Sequence, residues 1–230
     1  MRYLADLQPD RMMLLIRHAE CEKNRLGYHG HTERLDHPLT ADGEHDAQML
    51  AQALGNIIRF RSVISSPSRS GRDTSAALAD RQRTPVAIRA GLRSVGMGIA
   101  ADLAMDEIQT RYPDIFVQLR EYEAGRLHPN DLVLPGREQF SAFAERVHSE
   151  LTFLASQPAP VLVVTHYSTL TMLVHLLNVG DRDRTAIPYA KHSFPHLSLT
   201  LALRLDSPVT PSTWSVQFVG LPWSSAVKQP

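Results

Sequence analysis

Two apolar runs in this chain end in histidine: "LLIRH" closes at His18 and "LVVTH" closes at His166. A third run, "SVISS", leads into "PSRSGR", which carries Arg69 and Arg72. Guanidinium forks match phosphate oxygens in pairs. An imidazole can attack phosphorus and split one hard displacement into two easier ones. Arg17, His18, Arg69, Arg72 and His166 would therefore suit phosphoryl chemistry if they met in one place. Taken singly, each has a plainer reading: a strand end reaching solvent, or a salt bridge on a helix surface.

The elements around them say whether they can meet. Met12 to Ile16, "SVISS" (62–66), "VAIRA" (86–90) and "VLVVT" (161–165) are short apolar runs of strand length. Between them lie helical patterns. Thr40 can cap a helix from about Ala41 to Gly55, and Pro67 suits the start of a helix carrying Ala76, Ala77 and Leu78. Phe140, Phe143, Val147, Leu151 and Leu154 recur at helical spacing. "STLTMLVHLLNV" (168–179) is apolar nearly all round, as in a buried helix, and makes His175 a core histidine. "LSLTLALRL" (197–205) and "WSVQFVG" (214–220) read as two further strands. Alternating strands and helices indicate one α/β domain over residues 1–230 with a mainly parallel sheet. Residues 91–139 hold helical and irregular pieces that suit a cap or insertion over the site. Ligands of open parallel sheets bind beyond the carboxyl ends of strands, where these cations would gather. Helix starts after Pro67 and Tyr167 would add backbone N–H groups that favour an anion.

Composition narrows the functions. The 230 residues carry 24 Lys+Arg against 24 Asp+Glu, so nothing general favours nucleic acid or an acidic membrane as partner. The single cysteine, Cys21, excludes an internal disulfide, and nothing marks it as reactive. Acidic residues interrupt the N-terminal apolar stretch, and no run has the length to span a bilayer. These features point to a cytoplasmic protein. They leave oligomeric state open, a homodimer included.

The order of the motifs resembles the histidine phosphatase superfamily, the phosphoglycerate-mutase-like fold. "RHAE" (17–20) resembles its Arg-His-Gly/Ala-Glu signature, and Asn24 follows the histidine by six residues. "PLTADG" (38–43), "SSPSRSGRDTS" (65–75), "PGRE" (135–138) and "VVTH" (163–166) follow in the family's order, over about residues 12–180. The resemblance implies a three-layer α/β/α fold. It implies His18 as the nucleophile that becomes phosphohistidine, Arg17 and His166 as ligands of the transferring phosphate, and Asn24 as a further contact. No metal or cofactor is called for when arginines and histidines neutralise the transferring group.

Two departures stand out. The family's second arginine lies four residues before Thr74, where this chain has Ser70. Arg69 and Arg72 are then the candidates for that role, with Arg69 favoured. The family's "LRE" becomes "LRS", so Ser94 stands where a Glu would protonate the leaving group. Asp102, Glu107 and Glu138 are the candidate replacements, although Glu20 and Glu138 fit loop orientation better. In the loop "GYHGHTERLDH" (27–37), His29, His31 and His37 with Arg34 can meet a second anionic group of the substrate. A zinc site is conceivable there, but a solvated polar loop explains the composition as well. Tyr167 follows the second histidine where the family often has glycine, and it would either narrow the pocket or stack on a substrate.

The expectation is a phosphomonoesterase acting on a small-molecule phosphate ester through a phosphohistidine on His18. The alternatives are a mutase, a degenerate member that binds an anion without turnover, and a pocket turned to isomerase or lyase chemistry.

Overall fold

The computed structural model describes residues 9–28, 36–179, 192–205 and 214–224. Six strands form one sheet: β1 (Met12–Arg17), β2 (Ser62–Ser65), β3 (Val86–Ile88), β4 (Val161–Thr165), β5 (Leu199–Arg204) and β6 (Trp214–Leu221). Their order is β3-β2-β4-β1-β5-β6. The first four run parallel, β5 is antiparallel to β1, and β6 is antiparallel to β5.

The central strands are buried on both faces, which is why they read as unbroken apolar runs rather than alternating ones. In β1, Met13 and Leu15 enter one core while Met12, Leu14 and Ile16 enter the other. In β4, Val161 and Val163 face the first core, Leu162 and Val164 the second. The second core is closed by helices α2 (Ala41–Gly55) and α3 (Arg69–Gln82), and the first by α6 (Phe140–Ala155) and α7 (Tyr167–Val179). The result is the expected three-layer α/β/α arrangement.

Residues 91–139 add α4 (Met105–Arg111) and α5 (Pro113–Glu123) with short 3₁₀ turns, and Ile108 and Leu119 anchor them to the first core. Two local expectations shift. The stretch after β1 is not continuous loop but contains a short helix, α1 (Glu22–Arg25). Helix α3 begins at Arg69 rather than at Pro67, because the Ser68 hydroxyl caps it by accepting from the Gly71 amide.

Strand order sets the place of the site. β1 and β4 are neighbours, yet the helices that follow them cover opposite faces, so the crevice opens at their carboxyl ends. Register does the rest. Arg17 pairs with Thr165, and Ser65 with Val164, so the segments after β1, β4 and β2 leave the sheet at one level. The amide of His18 donates to the Thr165 carbonyl at 2.9 Å, and that of Ser66 to Val164 at 2.9 Å.

Candidate active site

That register places His18 and His166 side by side, with ring centroids 5.0 Å apart and the rings edge to face. Both are about 6% exposed and border a cavity of about 390 Å³ that Arg17 and Asn24 also line.

The loop carrying His18 is held by the residues of the other motifs. The Ala19 amide donates to Thr74 Oγ1 at 3.0 Å. The Thr40 amide donates to the Glu20 carbonyl, and its hydroxyl to Glu20 Oε2, each at 3.0 Å. A Cβ at Gly43 would stand 2.2 Å from the Glu20 carbonyl oxygen, so only glycine lets α2 approach this loop. Glu20 thus orients the loop.

His18 is prepared as a nucleophile. Its Nδ1 lies 2.7 Å from the Ala19 carbonyl, which can only accept, so Nδ1 carries the proton and Nε2 keeps its lone pair. Burial, with the charge of Arg17 added, pushes the imidazole down to about 3, so it is neutral at ordinary pH. Arg17 donates one N–H to the Phe194 carbonyl at 2.7 Å, while its buried Nε has no partner among the described residues. A buried guanidinium N–H of this kind is costly to leave unpaired and suits an incoming anion. His166 Nε2 sits 3.2 Å from Ser68 Oγ, which joins Ser66 and Ser70 in a chain of hydroxyls. Asn24 uses its carbonyl oxygen on the Cys21 amide at 3.1 Å, which leaves its NH₂ group available.

Several anticipated residues are not brought to the cavity. Arg69 is half exposed and paired with Asp73 at 3.4 Å. Arg72 bonds Asp36 at 2.9 Å and the Pro67 carbonyl. The phase of α3 explains this: Ser70, Gly71, Thr74, Ser75 and Leu78 form its buried face, so positions 69 and 72 turn outward and Ser70 lines the cavity. Among the proposed acids, Glu107 accepts from the Ala104 amide at the start of α4. Glu138 binds Arg93, Arg146 and the Gly96 amide. Burial raises its pKa, but hydrogen bonds from Arg146 and Gly96 outweigh this and hold the carboxyl below the usual range. These contacts favour its charged form and tie it to the loop of Ser94. Asp102 pairs with Lys23 at 3.5 Å and is not among the residues lining the cavity. His29, His31 and Arg34 lie outside the described residues, and His37 lines the cavity.

Ser94 faces the cavity where the resemblance puts a glutamate. Its Oγ lies 2.9 Å from Ser168 Oγ. Arg146 donates to the carbonyls of Gly91 and Arg93, Thr165 to that of Leu92, and Thr169 to that of Arg93. The loop is therefore seated by four side-chain hydrogen bonds to its carbonyls.

Other residues here escaped the sequence reading. Lys23, Tyr28, Tyr122 and Ser168 line the cavity, as do two carboxylates, Asp36 and Glu123. His196, from the turn before β5, lies 5.9 Å from His18, and its buried Nε2 is unpartnered among the described residues. Burial and then Arg17 push it down to about 4. Lys23, Tyr28, Asp36 and Ser168 lie in or beside the motifs already quoted, whereas Tyr122, Glu123 and His196 come from segments with no motif around them. Among the described residues, no group of three or more His, Cys, Asp or Glu is arranged to hold a metal ion. No helix of the described residues is long and apolar enough to cross a membrane.

Comparison with solved structures gives the same fold. A mycobacterial glucosyl-3-phosphoglycerate phosphatase in complex with VO3 superposes with a TM-score of 0.74 at 22% identity, covering 92% of this chain and 100% of that one. YhfR of Bacillus stearothermophilus gives 0.75 at 20% identity over 92% and 97%. A putative alpha-ribazole-5'-P phosphatase from Escherichia coli K-12 gives 0.73 at 20% identity over 91% and 96%. No curated protein sequence matches the chain. The family model of the histidine phosphatase superfamily (branch 1) matches residues 13–201, and with the paired histidines on adjacent strand ends it leads to one conclusion: the chain belongs to the histidine phosphatase superfamily.

Proposed function

We propose that the protein is a phosphomonoesterase that hydrolyses a small phosphate ester through a phosphohistidine on His18. The observation that carries this is the neutral His18 ring, its Nδ1 proton held by the Ala19 carbonyl, set 5.0 Å from His166 in a cavity lined by Arg17. In the first step Nε2 forms a bond to phosphorus while the P–O ester bond breaks and its electron pair leaves with the ester oxygen. Arg17 and His166 stabilise the charge on the equatorial oxygens. In the second step water attacks phosphorus, the P–N bond breaks, and inorganic phosphate leaves. Phosphatases of the same fold, one of them complexed with VO3, support the reading.

No carboxylic acid stands at position 94 to protonate the leaving group. The favoured substrates are esters whose leaving group departs as a stable anion or takes its proton from solvent. p-Nitrophenyl phosphate should be hydrolysed, and a panel of sugar, nucleotide and amino-acid phosphates would then locate the substrate. His18→Ala should abolish turnover, and acid-labile, base-stable phosphate should be trapped on the wild-type protein alone. Turnover that survives His18→Ala would refute the mechanism.

Ser70 and Ser94, in place of a guanidinium and a carboxyl, favour a second reading: an anion-binding member without turnover. Vanadate binding with no hydrolysis of any ester would establish it.

A further inference from the structure

A phosphate dianion in a desolvated pocket calls for fixed positive charge on more than one side. Ser70 removes one guanidinium, and Arg69 and Arg72 face away. Among the described residues, the permanent cations lining the cavity are then Arg17 and Lys23. Its two carboxylates are both engaged from outside, Asp36 by Arg72 at 2.9 Å and Glu123 by Arg120 at 3.3 Å.

Lys23 is an unusual lysine. It is 8% exposed, the one buried residue of helix α1, and it sits on the cavity wall. Buried lysines are rare unless paired. Here the pair is Asp102, at 3.5 Å and itself buried. Asp102 adopts the left-handed conformation, φ 58°, in the segment whose Ala104 bridges to Tyr28 just beyond α1. Backbone of that kind persists in a non-glycine residue only where its surroundings hold it. The contact is long for a charged hydrogen bond, so Lys23 keeps donors for a second acceptor. His18 also feels the lysine's charge, after burial and Arg17, in the direction that keeps the imidazole neutral.

We propose that Lys23, seated by Asp102, is the second phosphate cation of this site and takes the place of the arginine absent at position 70. The inference rests on the reading of the cavity as a phosphate site. The charge then comes from helix α1 rather than from helix α3.

Orthovanadate and inorganic phosphate binding to the full chain tests it, with thermal melting as the check on folding. Lys23→Met alone takes the lysine's charge from Asp102, so the main variant is Lys23→Met with Asp102→Asn, which removes both charges together. It should bind vanadate at least about tenfold more weakly, the loss expected for a hydrogen bond to a charged group. Lys23→Arg should stay within about threefold, and adding Ser70→Arg to the double variant should restore binding. Asp102→Asn alone keeps the cation and should retain affinity; a loss equal to that of the double variant would mean that the pair merely braces the wall, and would overturn the proposal. So would a folded double variant that binds vanadate as wild type does. Wild-type protein that binds vanadate but hydrolyses no ester would refute the phosphatase reading and leave Lys23 as a phosphate ligand. Wild-type protein that binds neither oxyanion would overturn both.

Discussion

At the scale of single residues, the proposed chemistry turns on Ser94 and Ser70, which depart from the family's motifs, and on Lys23. Ser94 occupies a loop tied down by Arg146, Thr165 and Thr169, so replacing its side chain should not move its backbone. Ser94→Glu should therefore install the missing proton donor. General acid assistance is worth about a hundredfold or more, and it matters most for poor leaving groups. The expected outcome is a rise in kcat/KM for alkyl phosphates relative to p-nitrophenyl phosphate, with the aryl substrate little changed. An unchanged ratio would show that the leaving group already receives its proton from elsewhere. Asp36 and Glu123, the carboxylates that do line the cavity, would then be the groups to replace.

At the scale of elements, the site depends on close packing between loops that carry no catalytic group. Gly43→Ala would drive a methyl into the Glu20 carbonyl and force α2 away from the loop of His18. Overpacking of this kind costs about 1–3 kcal/mol. A lower Tm and a fall in kcat should appear together. Glu138 offers a different test, because it clamps Arg93 and Arg146 and through them the loop of Ser94. Removing one partner of a half-buried, hydrogen-bonded ion cluster costs about 1–3 kcal/mol. Glu138→Ala should lower stability and kcat while leaving the ratio of alkyl to aryl turnover unchanged. A selective loss on alkyl phosphates would instead make Glu138 the acid.

For the whole molecule, burial of neutral imidazoles links the site to acid stability. His18 is pushed down to about 3 and His196 to about 4, while an unfolded histidine titrates near 6.5. Below 6.5 the unfolded chain binds protons that the folded chain refuses. Stability is thus full above that pH and falls as the pH drops towards 4 and then 3. Denaturant midpoints between pH 7 and 4 should decline with up to about two protons taken up on unfolding from these two histidines. The double variant His18→Gln, His196→Gln should flatten that dependence. An equal slope in the variant would assign the acid sensitivity to other groups.

Much of this molecule is legible in its sequence, and the reason is local. β1, β2 and β4 are short apolar runs because both their faces are buried, and α2 announces itself through Thr40 and its apolar spacing. His18 and His166 end two such runs, so the sequence by itself determined that a parallel sheet would present them at one edge. It could not determine that β1 and β4 are adjacent, since strand order depends on which crossovers pack, not on any one segment. Nor could it give the phase of α3, which turns Arg69 and Arg72 outward by the fraction of a turn that separates them from Ser70. Glu138, Asp102 and Lys23 show the same limit. A charged residue in a sequence is equally an acid, a clamp or a ligand, and only the partner that folding places beside it, tens of residues away along the chain, settles its charge and its reach.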